Sequence, residues 1–285
     1  MHDAARSRSR TGQVEHGLRR AVQIAVHRQE IDDDFSATGA GFVAVTEGSA
    51  PTIAFAAGVR GPARKRSTMS RIVIFGAGGR GGRRAVAEAV SRGHQVTAAV
   101  REPRRHADLA GDNVTLVAAD VTVADDVAKA AAGHDAAISS IYRADLPSQV
   151  YYPAAAHALI DGLGRAGVAR LVVVGVGSAL EIAPGVAFHD QPDWPAAHRE
   201  FSLGHTAELE VLRTSGDGLD WVVIAPPPAM IDEHADRTGE YRTGDHRVLP
   251  RAEDAGPFSY ADLAVALIDE IERPAHSRAM VAIDH

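Results

Sequence analysis

Five glycines fall between Gly76 and Gly82, directly after the apolar run that opens "RIVIFGAGGRGG". A backbone that gives up side chains so densely is suited to close approach and tight turning. Two spacings coexist: Gly76-x-Gly78-x-x-Gly81, the dinucleotide fingerprint, and Gly76-x-x-Gly79-x-x-Gly82, a related spacing with glycines three apart. In either register the first glycine makes the turn. The second lets main chain touch a pyrophosphate, and the third lets a helix pack on the strand. A helix starting here presents free N–H groups and partial positive charge to an anion. Gly76, Ala77, Gly78, Gly79, Arg80, Gly81 and Gly82 are therefore the first candidate coenzyme-binding residues.

The next apolar run ends "TAAVREPRR". At that edge an acid takes the ribose hydroxyls of NAD, whereas an arginine accommodates the 2′-phosphate of NADP. Arg101 stands there, with Arg104 and Arg105 nearby, so NADP is expected; Glu102 keeps NAD open, and three solvated arginines are the plain alternative. Asp120 and Val121, after the third run, fit the place of an adenine ring, although Asp120 also suits a helix cap. Ser139 and Ser140 end the fourth run, beside the expected nicotinamide ribose. Pro226, first of three prolines after the sixth run, either lines the nicotinamide pocket or only makes a turn.

Several chemistries are excluded. There is no cysteine, hence no disulfide, thiolate nucleophile or zinc–thiolate site, and a reducing cytoplasm is the expected compartment. A Tyr-x-x-x-Lys acid–base pair is absent: the only lysines are Lys65 and Lys129, and neither follows a tyrosine by four residues. Where such a pair would sit, "EFSLGHTAELEVLRTSG" offers Phe201 and His205. No G-x-S-x-G elbow or H-E-x-x-H motif occurs, and His189, His198 and His205 lack ligand spacing, so no metal site is expected. Ser178, just past the fifth run, and His205 remain the candidate catalytic residues, against a loop turn and a partly exposed helix histidine. Trp194 and Tyr241 either stack on an acceptor ring or anchor loops.

These residues need a frame. Between 69 and 285, strands are expected at 71–75, 95–100, 114–118, 136–140, 170–174, 221–225 and 279–283. Helices are expected at 81–92, 124–132, 150–166, 197–214 and 259–272, the last opened by the capping pattern Ser259-x-x-Asp262. Near-continuous apolar strands alternating with helices predict an α/β, doubly wound parallel sheet, a Rossmann fold in one domain. Stretches 175–196 and 226–257 interrupt the rhythm after strands and are expected to form the substrate side of the cleft. Residues 1–68 hold ten basic and seven acidic residues without steady periodicity. They read as a weakly ordered extension or a mis-assigned start, with a targeting arm as the third possibility. The net charge of −7 argues against nucleic acid, and no apolar run of membrane length occurs. The oligomeric state is not legible.

From "RIVIFGAGGRGG" through "RLVVVGVGSALEIAPG" and "HTAELEVLRTSGDGLDWVVIAPP" to "FSYADLAVALIDEIERPAH", residues 70–284 resemble the atypical short-chain dehydrogenases of the NADH-flavin reductase group, related to biliverdin reductase B. The resemblance implies a Rossmann fold, NAD(P)H as cofactor, and a small-molecule acceptor such as FMN, FAD or a similar flat ring. Val176-Gly177 stands where that group has a glycine and an alanine. A non-catalytic NADP-sensing regulator of the same type is the alternative, since such proteins also lack the Tyr/Lys pair.

Overall fold

The computed structural model describes residues 69–228, 230–252 and 254–285. Seven parallel strands lie in the order β3-β2-β1-β4-β5-β8-β12: β1 Arg71–Phe75, β2 Gln95–Val100, β3 Val114–Ala118, β4 Ala136–Ser139, β5 Arg170–Val174, β8 Asp220–Ala225 and β12 Ala279–Asp284. Alternation along each strand serves two cores. Val73, Phe75, Leu171 and Trp221 face one side, beneath Val127 of α2 (Ala124–Ala131), Leu159 of α3 (Ser148–Ala166) and Leu212 of α4 (Ala196–Thr214). Ile72, Ile74, Val172 and Val222 face the other, beneath Ala85 of α1 (Arg80–Ser91) and Leu267 of α5 (Tyr260–Glu272). Burial on both faces is why these strands read as unbroken apolar runs.

The chain moves outward from β1 to β2 and β3, then returns to place β4 on the other side of β1. That reversal opens a crevice at the carboxyl ends of β1 and β4, where the glycine loop begins. The expected Rossmann architecture is thus the observed one, with element ends shifted by one or two residues.

The long loops hold more structure than their sequence suggests. The first carries a short antiparallel pair, β6 Glu181–Ala183 with β7 Val186–Ala187. The second contributes β9 Ile231–Asp232, parallel to β11 Phe258–Ser259, and β10 Arg242–Thr243, which extends the sheet antiparallel to β12. Pro103–Leu109, expected as loop, forms a 3-10 segment kinked at His106.

One buried carboxylate fixes the second loop. The Ser259 hydroxyl accepts from the Asp262 amide at 2.8 Å, the expected cap of α5. The Asp262 carboxylate accepts in turn from Ser259 Oγ, from the Thr238 and Gly239 amides and from Thr238 Oγ1, with His285 Nε2 at 3.2 Å. Burial would raise its pKa, but the Gly239 and Thr238 amides, the Ser259 hydroxyl and His285 outweigh that and hold it below the ordinary carboxylate value.

Candidate active site

Each glycine of the loop answers to a different constraint. Gly76 has φ +74°, and a Cβ there would lie 2.1 Å from the Ser140 carbonyl oxygen. A Cβ on Gly82 would lie 2.2 Å from the Gly76 carbonyl oxygen, so α1 packs directly on the turn. Gly79 differs. It is exposed, with φ −79° and ψ 174°, and no heavy atom comes nearer than 3.4 Å to its would-be Cβ. Neither conformation nor internal packing demands a glycine there. As the N-cap of α1, Gly79 stands at the helix end whose first N–H groups lack intrahelical partners. The opening turn contains Arg80 and Arg83 and no acid. That charge pattern opposes the helix dipole and suits an anion. A pyrophosphate fits this cradle, and the 76/79/82 register is the one whose outer glycines make the turn and the close contact.

Arg80 projects outward, its Nε 3.1 Å from Glu233 on the second loop. Gly78 lies under the His106 ring, which a Cβ would meet at 2.5 Å. Arg83 clamps this arrangement: its Nε donates to the Gly78 carbonyl at 3.1 Å, its Nη2 lies 3.2 Å from His106 Nδ1, and it pairs with Asp108. Sequence reasoning missed this trio. The one available signal was an arginine inside the motif helix.

At the end of β2, Arg101 is exposed and forms no ion pair among the described residues, whereas Arg105 pairs with Glu102 at 3.0 Å. The acid that kept NAD open is thus paired at the surface, while Arg101 has no ion-pair partner among the described residues. Asp120 is half-buried and does not cap α2, whose N-cap is Val123. It makes a local turn instead, Oδ1 accepting from the Thr122 amide at 2.9 Å and hydroxyl at 2.7 Å. Burial pushes its pKa up, but the Thr122 bonds and the Arg101 and Arg143 charges prevail and keep it low, an ionised acceptor whose Oδ2 takes no hydrogen bond among the described residues. Val121, beside it, is buried, as is Ala77.

Ser140 seals the glycine turn: its amide donates to the Phe75 carbonyl at 3.0 Å, and its Oγ lies 2.8 Å from where a Gly81 Cβ would stand. Ser139 is buried, with Oγ unpartnered among the described residues. The Pro226 carbonyl lies 2.1 Å from a would-be Cβ on Gly177, so the proline loop packs against the turn after β5. Ser178 is buried and hydrogen-bonded to Ser202 of α4, so its hydroxyl is committed within the protein.

His205 is 8% exposed, which makes the partly exposed alternative wrong. Its ring lies 3.9 Å, centroid to centroid, from Tyr152 and 4.9 Å from Phe201. Tyr152 is pushed far above the ordinary tyrosine pKa, first by burial and then by the Glu208 charge, so it stays protonated and is no substitute for the missing catalytic tyrosine. Of the two loop aromatics, Trp194 packs edge-on to Phe188 at 5.1 Å and Tyr241 donates to Asp269 at 2.9 Å, so both anchor loops. Among the described residues no helix is long and apolar enough to cross a membrane, and no cluster of His, Asp and Glu is grouped to hold a metal. A polar cleft of about 190 Å³ at the opposite sheet edge, lined by Arg71, Gln95, Asn113 and His134, shares none of these residues.

A family model described as NAD(P)H-binding matches residues 76–274. The uncharacterised protein YwnB of Bacillus subtilis is 32% identical over 211 residues, which cover 72% of this chain and 94% of that one. Among solved structures, a candidate exported protein from Burkholderia pseudomallei is 37% identical with a TM-score of 0.67, covering 76% of this chain and all (100%) of its own. A candidate NADH-flavin reductase from Streptococcus pneumoniae is 26% identical with a TM-score of 0.63, covering 75% of this chain and 98% of its own.

Proposed function

We propose that this chain, which belongs to the NAD(P)H-binding family, is a reductase that passes hydride from NADPH to a flavin or a similar flat acceptor. The observation that carries the coenzyme assignment is Gly79, whose missing side chain no described residue requires, at a helix start that carries Arg80 and Arg83. NADP rather than NAD is favoured by Arg101, which has no ion-pair partner among the described residues, and by the pairing of Glu102 with Arg105. Asp120 and Val121 are assigned to the adenine, and Ser139, Ser140 and Pro226 to the nicotinamide end.

A bound reduced nicotinamide supplies the hydride. The protein must hold the acceptor against it and exclude water, a task needing little acid–base machinery. That demand agrees with the missing Tyr/Lys pair and with the protonated Tyr152. The Streptococcus pneumoniae relative supports the acceptor class. In this reading His205 is the candidate proton donor, Ser178 acts through Ser202 to set the turn after β5, residues 69–285 carry the activity, and the absence of cysteine favours the cytoplasm.

Incubation with FMN and either NADPH or NADH, followed by loss of reduced-nicotinamide absorbance, tests the proposal. Faster turnover with NADPH is expected. Tight NADPH binding without turnover on any flavin or quinone would overturn the reductase and favour an NADP sensor.

A further inference from the structure

Glu208 is a carboxylate where an apolar residue would be ordinary. It lies on the inner face of α4, 2% exposed, one turn beyond His205. Its Oε2 is 2.9 Å from His205 Nδ1, while its Oε1 is buried without any partner among the described residues. Buried polar atoms are nearly always satisfied, and an orphaned carboxylate oxygen calls for a reason other than packing. The far side of the imidazole is different. Nε2 has no hydrogen-bond partner among the described residues and is not among the unpartnered atoms sealed from solvent.

The position is also informative. Ser202, three residues before His205, bonds Ser178 at the turn after β5. Tyr152, stacked on the imidazole, reaches the Ile141 carbonyl, just past the end of β4, at 3.4 Å. His205 is thereby tied to the carboxyl ends of β4 and β5, the edge that carries the glycine loop.

We infer that Glu208 is a positioning residue that holds the proton of His205 on Nδ1 and turns Nε2 toward the acceptor. The inference rests on the reductase reading. A carboxylate on one imidazole nitrogen fixes the tautomer, and with it the role of the other nitrogen. With Nδ1–H committed to Glu208, Nε2 relays the one solvent proton, from hydronium or a buffer acid, that the overall reduction consumes. The reduced nicotinamide is oxidised as its hydride carries two electrons to the acceptor. The Nε2 proton passes to an acceptor heteroatom, which completes the reduction and returns the ring to its neutral Nδ1–H form. Of the described aromatic rings that pack on this imidazole, Phe201 does not titrate and Tyr152 on α3 is held protonated; Tyr151, beside Tyr152, is pushed up to about 12 by burial, with smaller opposing contributions from Arg101 and Asp120.

The test uses the full chain with ¹⁵N-labelled histidine. Long-range ¹H–¹⁵N NMR of the coenzyme-free protein is expected to show His205 as a single Nδ1–H tautomer, and Glu208→Met to shift it to a mixture. In FMN reduction, Glu208→Met is expected to lower kcat at least tenfold with the KM for NADPH unchanged, in the range of a lost acid–base contribution. Glu208→Gln keeps an acceptor oxygen and is expected to preserve the tautomer and most of kcat. It also serves if the methionine variant does not fold. An Nε2–H tautomer in the parent protein, or full kcat in Glu208→Met, overturns the inference. If the parent protein reduces no acceptor, the reductase reading fails, while the NMR result still decides whether Glu208 sets the tautomer.

Discussion

Replacing Gly79 and Gly82 separately by alanine isolates the coenzyme contact from the fold. At Gly82 the new Cβ would lie 2.2 Å from the Gly76 carbonyl oxygen and 2.8 Å from Ala77 Cα, both rigid main chain. Overpacking of that kind costs about 1–3 kcal/mol. At roughly 2–4 °C per kcal/mol for a domain of this size, Tm is expected to fall by about 2–12 °C. At Gly79 the nearest atom is 3.4 Å away and φ is −79°, so alanine is accommodated. The reduced entropy of the unfolded chain stabilises by about 0.4–1 kcal/mol, and a poorer N-cap residue offsets a similar amount, which leaves Tm nearly unchanged. The alanine methyl nonetheless projects where a pyrophosphate meets the helix start. Loss of one hydrogen bond to a charged group, about 1.5–3 kcal/mol, corresponds to a Kd raised roughly 10- to 100-fold. Calorimetric titration with NADPH and a thermal melt give both numbers for each variant. If Gly79→Ala binds NADPH like the parent protein, the glycine loop is not the anion site. If it melts as early as Gly82→Ala, the contact that excludes its side chain is internal, and the argument for the coenzyme is wrong.

Arg101→Ala is expected to weaken NADPH by about tenfold, as one charge-assisted contact implies, while NADH changes less than twofold; calorimetry showing equal losses would move the phosphate grip elsewhere, with Arg83 and Arg104 next in line. Asp262→Asn removes the charge and one of the two acceptor oxygens that serve the Thr238 amide and hydroxyl, the Ser259 hydroxyl and His285, and is expected to cost about 3 kcal/mol, or roughly 6–12 °C in Tm. Because the folded-state pKa of Asp262 is depressed, its contribution is complete above the ordinary carboxylate value and is lost as pH falls through the folded value. Melts below about pH 4 should therefore converge for the parent and the Asn variant, and an unchanged gap across that window would show that the ionised form is not what stabilises the loop.

Phe75, Val100 and Val174 announced their strand ends because β1, β2 and β5, buried on both faces, leave unbroken apolar runs, and Gly76, Gly79 and Gly82 announced the turn because nothing else fits two of those positions. Both signals are local: the residues that explain them are neighbours in the chain. The catalytic end of the cleft is not local. Glu208 sits in "AELEVLR", whose acids and arginine give no sign of burial, yet it is buried on a helix that packs against α3, more than forty residues earlier in the chain. The Ser178 hydroxyl looked free because Ser202, its partner, belongs to a helix that returns to β5 across the first long loop. His106 belonged to a polar "PRRHADL", with no periodicity to suggest that it would lie over Gly78, and Tyr241 looked available for stacking until Asp269 of α5 took its hydroxyl. In each case a polar side chain looked solvated because its partner lies elsewhere in the sequence. A spacing rule finds the groups that main chain must accommodate, whereas a buried hydrogen-bonded pair is visible only once the topology has set its two members side by side.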